Sequence, residues 1–233
     1  MTQIESESIN KKRVFAFKSK EQFLAYINLK KGLLIALNAE KLNKSDSRLN
    51  KIINDNIGYP DGIGAVLALR RKGLESIKIP GAEFWLDIIS TFYKTKSFYL
   101  LGASQPVIDA TVNKLKREFQ NIDIKGFRNG YIKDGDETTI LKELKEKKPD
   151  FVFVAMGSPK QEFLMTEFLH HYPALYMGLG GSFDVYSGAK SRAPKIFIGL
   201  GLEWLYRLLK EPTRISRQLN LIKFFFKIIF GRI

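Results

Sequence analysis

Short apolar runs rich in β-branched and aromatic residues recur along this chain. They alternate with longer stretches whose apolar positions fall three and four apart. The runs predict strands at Arg13–Phe17, Leu33–Leu37, Ser97–Leu101, Ile122–Phe127, Phe151–Met156 and Ala174–Gly178. The longer stretches predict helices at Lys20–Leu29, Ile63–Lys72, Ala82–Thr95, Gln105–Phe119, Glu137–Lys147 and Lys160–His170. Strand and helix in alternation are the pattern of an α/β fold, here a mainly parallel sheet flanked by helices and built from Rossmann-like βα units.

The pattern changes after Gly188. Ala193-Pro194 interrupts it, a helical stretch runs from about Lys195 to Lys210, Pro212 interrupts again, and a last helical pattern follows from Thr213. The chain therefore divides into a core at 1–190 and a helical C-terminal appendage at 191–233. A length of 233 residues suits one such domain with an appendage better than two full domains.

Charge gives the appendage a character of its own. The net charge is +14, and from Lys190 onward ten Lys and Arg face only Glu203 and Glu211, which places +8 of the total at this end. Such asymmetry predicts a polyanionic partner, an anionic membrane or a nucleic acid. In RISRQLNLIKFFFKIIFGRI, Lys223 and Lys227 share one helical face, and Ile222, Phe225, Phe226 and Ile229 lie together on another. A helix at a bilayer interface uses this arrangement, with cations on lipid phosphates. A terminal helix docked on the core or on a second subunit of a homo-oligomer would show it equally well. Three adjacent Phe residues suit lipid better than bases and argue against nucleic acid.

Composition narrows the setting. No Cys is present, which excludes disulfides, thiolate metal sites and a cysteine nucleophile and fits a reducing cytoplasm. The opening MTQIESESINKKRVFAF has no apolar core of signal-peptide length, so export is not expected. No run approaches the roughly 20 apolar residues that span a bilayer. The expected location is the cytoplasm, peripheral on the membrane's inner face.

Candidate chemistry sits just after the predicted strands, where open α/β sheets hold ligands. Asn38 and Glu40 of LNAEK follow Leu37, and Gly102 follows Leu101. GSPKQE (Gly157 to Glu162) follows VFVAM, and GLGGSFD (Gly178 to Asp184) follows ALYM. Glycine turns let backbone N–H groups approach a phosphate, and Ser158-Pro159 has the form of a helix start with Pro in the first helical position. There is no P-loop, and the third glycine of GxGxxG is missing, so a dinucleotide site has little support. In YPDGIGAV, Asp61 precedes a helical stretch, where its carboxylate suits an N-cap or a general base. Asp134-Gly135-Asp136 has the DxD form of metal-dependent sugar-nucleotide transferases, but it lies in the polar loop GYIKDGDETT and reads as a turn with an N-cap. His170 and His171, adjacent at a helix end, point apart and make no metal pair.

Taken together, the strings LNAEK, DGIGAV, PGAEFW, GSPKQE, GLGGSFDVYSG, RAPK and GLEWLYRLLKEPTR resemble the WecG/TagA/CpsF family, glycosyltransferase family 26, from about Leu33 to Phe225. LNAEKL, VAMGSPKQE and ALYMGLGG resemble its enterobacterial WecG-type branch. The resemblance implies a UDP-sugar donor, N-acetylmannosaminuronic acid as the sugar, and a polyprenyl-diphosphate-linked GlcNAc acceptor in surface-polysaccharide synthesis of the enterobacterial common antigen kind. It also implies inversion without a bound metal or cofactor, and an appendage that completes the site at the membrane.

The family's proposed catalytic base falls on Asp61, with Asn38 beside it. Where some relatives carry Thr, this chain has Ala36, which offers no hydroxyl. The implied substrate-binding set is Gly102, Gly157, Ser158, Lys160, Gln161, Glu162, Gly180, Gly181 and Asp184 in the core. The appendage would add Arg192, Arg207, Arg214 and Arg217, whose guanidinium groups suit a departing diphosphate. The alternatives are transfer of N-acetylmannosamine or another hexose within the same family, and a membrane-recruited binding module without catalysis.

Overall fold

The computed structural model describes residues 4–191 and 223–231. Six parallel strands form the central sheet. In spatial order they are β4 (Ile57–Pro60), β3 (Gly32–Leu37), β8 (Leu175–Gly178), β7 (Phe151–Ala155), β5 (Ser97–Gly102) and β6 (Asp123–Arg128). Central strands are apolar at nearly every position because helices cover both faces, and all five residues of β7, FVFVA, are buried. The edge strand β6, DIKGFR, alternates exposed and half-buried positions instead.

Side chains leave each strand alternately to two separate cores. Leu34, Phe98, Leu100, Phe151, Phe153 and Met177 pack with α1 (Lys20–Ile27), α5 (Gly81–Phe92), α6 (Gln105–Glu118) and α9 (Ser182–Tyr186). Leu33, Ile35, Leu101, Val152, Val154 and Tyr176 pack on the other face. Their partners there are α2 (Ala39–Asn43), α3 (Ser47–Asp55), α4 (Ile63–Arg71), α7 (Asp136–Lys147) and α8 (Lys160–His171). The result is the α/β fold expected from the pattern.

Several elements differ from the expectation. Arg13–Phe17 is not part of the parallel sheet. It contributes β2 (Lys12–Phe15), which pairs antiparallel with β1 (Ser6–Ile9) in a separate hairpin. β4 was missed because IGYP carries Gly and Pro and reads as a turn. Its strand character comes from pairing with β3, Ala36 opposite Tyr59. α3 had a readable signal in Leu49, Ile52 and Ile53 behind the cap of Asp46, whose carboxylate accepts the Leu49 N–H at 3.0 Å.

The last segment is helical over residues 223–229, here α10. Its buried residues are Phe224 and Ile228, which join the core beside α2 and α4, whereas Phe226, Ile229 and Phe230 stay exposed. The expected grouping of Phe225, Phe226 and Ile229 is therefore not the face that packs, and Ile222 lies outside the described residues. Gly64 of the DGIGAV string suits this docking, because a Cβ there would stand 3.2 Å from the Phe224 ring, closer than ordinary contact. The predicted helix over 195–210 lies outside the described residues.

One lysine of the hairpin is buried. Lys12 is 1% exposed, and desolvation, with Lys227 adding repulsion and Asp46 partly offsetting it, lowers its pKa from 10.5 to about 8. Between those two values the unfolded chain holds a proton that the folded chain has lost, so this residue's contribution to stability rises with pH across that window. Relative to Lys12→Met, wild-type unfolding free energy should therefore increase by up to about 3 kcal/mol from pH 8 to 10.5, read from urea melts of both proteins.

Candidate active site

The carboxyl ends of the parallel strands share one rim, and chain direction creates a crevice in it. β5 leads outward to β6, whereas β7 leads the other way to β8, so a topological switch point lies between β5 and β7. Gly102 closes β5 at φ +138°, where a side chain would run into the backbone of Ala155 on β7. Ala103 follows, its N–H donated to the Ala155 carbonyl at 3.0 Å, and Ser104 starts α6 without a side-chain cap bond. Gly157 and Ser158 follow β7. Pro159 occupies the N-cap of α8 after a cis peptide bond, one place earlier than the first helical position expected for it, and exposed Lys160 begins the helix.

The loop after β6, whose sequence reads as a turn leading to an N-cap, also roofs this crevice. Gly130 donates its N–H to the Ala103 carbonyl at 2.8 Å and packs against the Gly102 Cα. Asn129 donates to Gln105 Oε1 at 2.8 Å. The next residue, Tyr131, is 72% exposed, and a single Tyr in a polar loop offered no periodicity to notice.

Around β3 and β4 the rim is acidic and tightly packed. The Asp61 N–H donates to the Leu37 carbonyl at 3.1 Å, which sets Asp61 beside the end of β3. Asp61 does not cap the helix that follows it, since the N-cap of α4 is Gly62. Its Oδ1 instead accepts the N–H of Gly81 at 2.8 Å, at the start of α5. Gly81 has no room for a side chain, because a Cβ would lie 2.8 Å from the Tyr59 hydroxyl. The glycine of PGAEFW thus lets a helix end approach the aspartate. Asn38 caps α2 by accepting the Lys41 N–H at 2.9 Å and lies against Gly62. Ala36 faces Gly81 at 3.4 Å, measured from the position its Cβ would take.

Glu162 and Gln161 tie the third group of motifs together, and both are buried. Glu162 Oε1 pairs with the Lys41 ammonium at 2.7 Å, joining α8 to α2. Gln161 Oε1 accepts the Gly180 N–H at 2.9 Å, so that amide serves the loop's own structure. Gly178 is needed because a Cβ would collide with the Gln161 amide. Gly181 precedes α9, and Asp184 within it lies 3.6 Å from Lys190 as an ion pair.

Among the described residues the Tyr59 hydroxyl and Glu162 Oε2 are buried without a hydrogen-bond partner. Burial, reinforced by the Asp61 and Glu162 carboxylates, pushes the Tyr59 phenol well above its usual pKa and keeps it a neutral donor. Tyr59, Gly81 and Lys41 were not foreseen, because their roles come from neighbours distant in the chain.

The remaining candidates fall elsewhere. Gly135 is the N-cap of α7, and Asp136 pairs with Arg128 at 2.6 Å and accepts the Lys133 N–H at 2.9 Å, as a turn at a helix start would. His171 meets Glu167 at 3.2 Å. Arg192, Arg207, Arg214 and Arg217 lie outside the described residues.

The sequence profile of the glycosyl transferase WecG/TagA/CpsF family matches residues 13–233. The chain belongs to this family. As a WecG/TagA/CpsF glycosyltransferase it acts on a sugar donor and an acceptor. Open α/β sheets hold ligands at the carboxyl ends of their strands, the rim on which Asp61, Asn38 and the glycine loops after β5, β7 and β8 stand.

Proposed function

We propose that this transferase moves N-acetylmannosaminuronic acid from its UDP-sugar, with inversion, to the 4-hydroxyl of polyprenyl-diphosphate-linked GlcNAc. The observation that carries the reading is the Asp61 carboxylate, anchored through one oxygen on Gly81 and set beside Asn38 on the ligand rim. In this scheme Asp61 accepts the proton of the attacking hydroxyl. The oxygen then bonds to the anomeric carbon as the bond to UDP breaks on the opposite face. The donor's diphosphate lies at the β5–β7 crevice near the start of α6, and the exposed Tyr131 ring offers its base a flat surface.

No metal or other cofactor is assigned a role. The leaving diphosphate is neutralised by backbone N–H groups and by the appendage arginines Arg192, Arg207, Arg214 and Arg217. The exposed Phe226, Ile229 and Phe230 beside Lys223 support contact between α10 and the inner face of an anionic plasma membrane. Among the described residues no helix is long and apolar enough to cross one.

The test is a donor panel with one synthetic polyprenyl-diphosphate-GlcNAc acceptor. UDP-N-acetylmannosaminuronic acid should give at least tenfold higher kcat/KM than UDP-N-acetylmannosamine, about the selectivity that one added charged contact provides. Preference for the uncharged sugar would reassign the donor and leave the transfer chemistry in place.

A further inference from the structure

Lys12 stands one residue before the stretch matched by the family profile. Its ammonium donates to the carbonyls of Leu42 at 3.0 Å, Lys44 at 2.9 Å and Asn10 at 3.4 Å. Leu42 and Lys44 form the C-terminal end of α2, with Lys44 its C-cap. At the other end of this helix stands Asn38. A helix of five residues is too short to hold its shape by its own hydrogen bonds. Three tethers compensate: the Asn38 cap, the Lys41–Glu162 pair, and the Lys12 ammonium on the final carbonyls. The same end of α2 receives α10, where Lys227 donates to Asn43 Oδ1 at 2.8 Å.

We propose that Lys12 is a positioning residue for Asn38: from the β1–β2 hairpin it clamps the C-terminal carbonyls of α2 and so fixes the N-cap that adjoins Asp61. Burying an ammonium beside a second cation costs desolvation and repulsion, and a Met of similar length would fill the space without either. What the ammonium alone provides is a directed donor set on carbonyls that nothing else in the hairpin reaches. Holding α2 at one end holds the other, about 8 Å away along the helix, in register with Asp61. The inference rests on the reading of Asn38 as a site residue.

A double-mutant cycle of Lys12→Met and Asn38→Ala tests it, with kcat and donor KM measured on the lipid-linked acceptor and urea melts run on all four proteins. Lys12→Met should lower kcat about tenfold with little change in KM, the scale of a small misplacement near the reacting atoms. In the Asn38→Ala background it should lower kcat no further, although its effect on the melt persists. Equal losses of kcat in both backgrounds, or no loss in the first, would overturn the clamp while leaving Asn38 in the site. Wild-type turnover by Asn38→Ala would instead remove Asn38 from the site, and the clamp with it. Lys12→Gln keeps an amide donor without the charge and decides the matter if Lys12→Met does not fold. Its kcat should fall several-fold below wild type at unchanged donor KM for a positioning role, and full wild-type kcat at lowered stability would mean a structural role only.

Discussion

Replacing Asp61 by Asn is expected to lower turnover by about a thousandfold while leaving the fold intact. The carboxamide oxygen can still accept the Gly81 N–H, which Asp61 Oδ1 accepts at 2.8 Å, so the start of α5 keeps its partner. What the variant lacks for the reaction is the capacity to take a proton from the acceptor hydroxyl. The measurement is UDP release with polyprenyl-diphosphate-GlcNAc, beside a thermal melt that should move little. Turnover close to wild type would remove Asp61 as the base and leave it as the anchor of Gly81.

Ending the chain after Lys190 should bring turnover below detection and abolish binding to anionic vesicles. Two losses coincide in this variant. The arginines proposed for the diphosphate go, and so do Phe224 and Ile228, which uncovers the core beside α2 and α4. Phe224→Ala separates them. It removes the ring seated on Gly64, at a cost of about 3 kcal/mol to the docked helix, yet retains every arginine. This variant should keep measurable turnover on a water-soluble GlcNAc-diphosphate acceptor, where the truncated chain should have none. A truncated enzyme fully active on that acceptor would reduce the appendage to an anchor.

Asp61 shows what a sequence can and cannot tell about a site. Its place before a helical stretch suggested a cap for that helix, and Gly62 holds that position instead. The carboxylate turns to Gly81, 20 residues further on, because α5 on the opposite face of the sheet ends its approach there. The glycines of the motifs behave similarly. Gly178 looked like material for a phosphate loop, and its size is explained by the Gln161 amide beside it, as those of Gly64 and Gly81 are by a Phe ring and a Tyr hydroxyl. Gly102 and Gly157 each combine a positive φ with a position on the crevice, at the ends of β5 and β7.

The basic, aromatic end of the chain remains the feature that most separates this protein from a bare α/β domain. Its pattern allowed a membrane helix or a docked one. The structure docks α10 through Phe224 and Ile228 and leaves Phe226, Ile229 and Phe230 outward, where the proposed membrane contact would fall.

By itself the sequence determined the alternation of strands and helices, the α/β class and the family, because these depend on local periodicity and ordered motifs. Tertiary structure alone decided the strand order, the strand character of IGYP, the partner of Asp61, the burial of Lys12 and Glu162, and the face by which α10 packs. Each of these depends on groups far apart in the chain that become neighbours only when the sheet and its two helical layers close on one another.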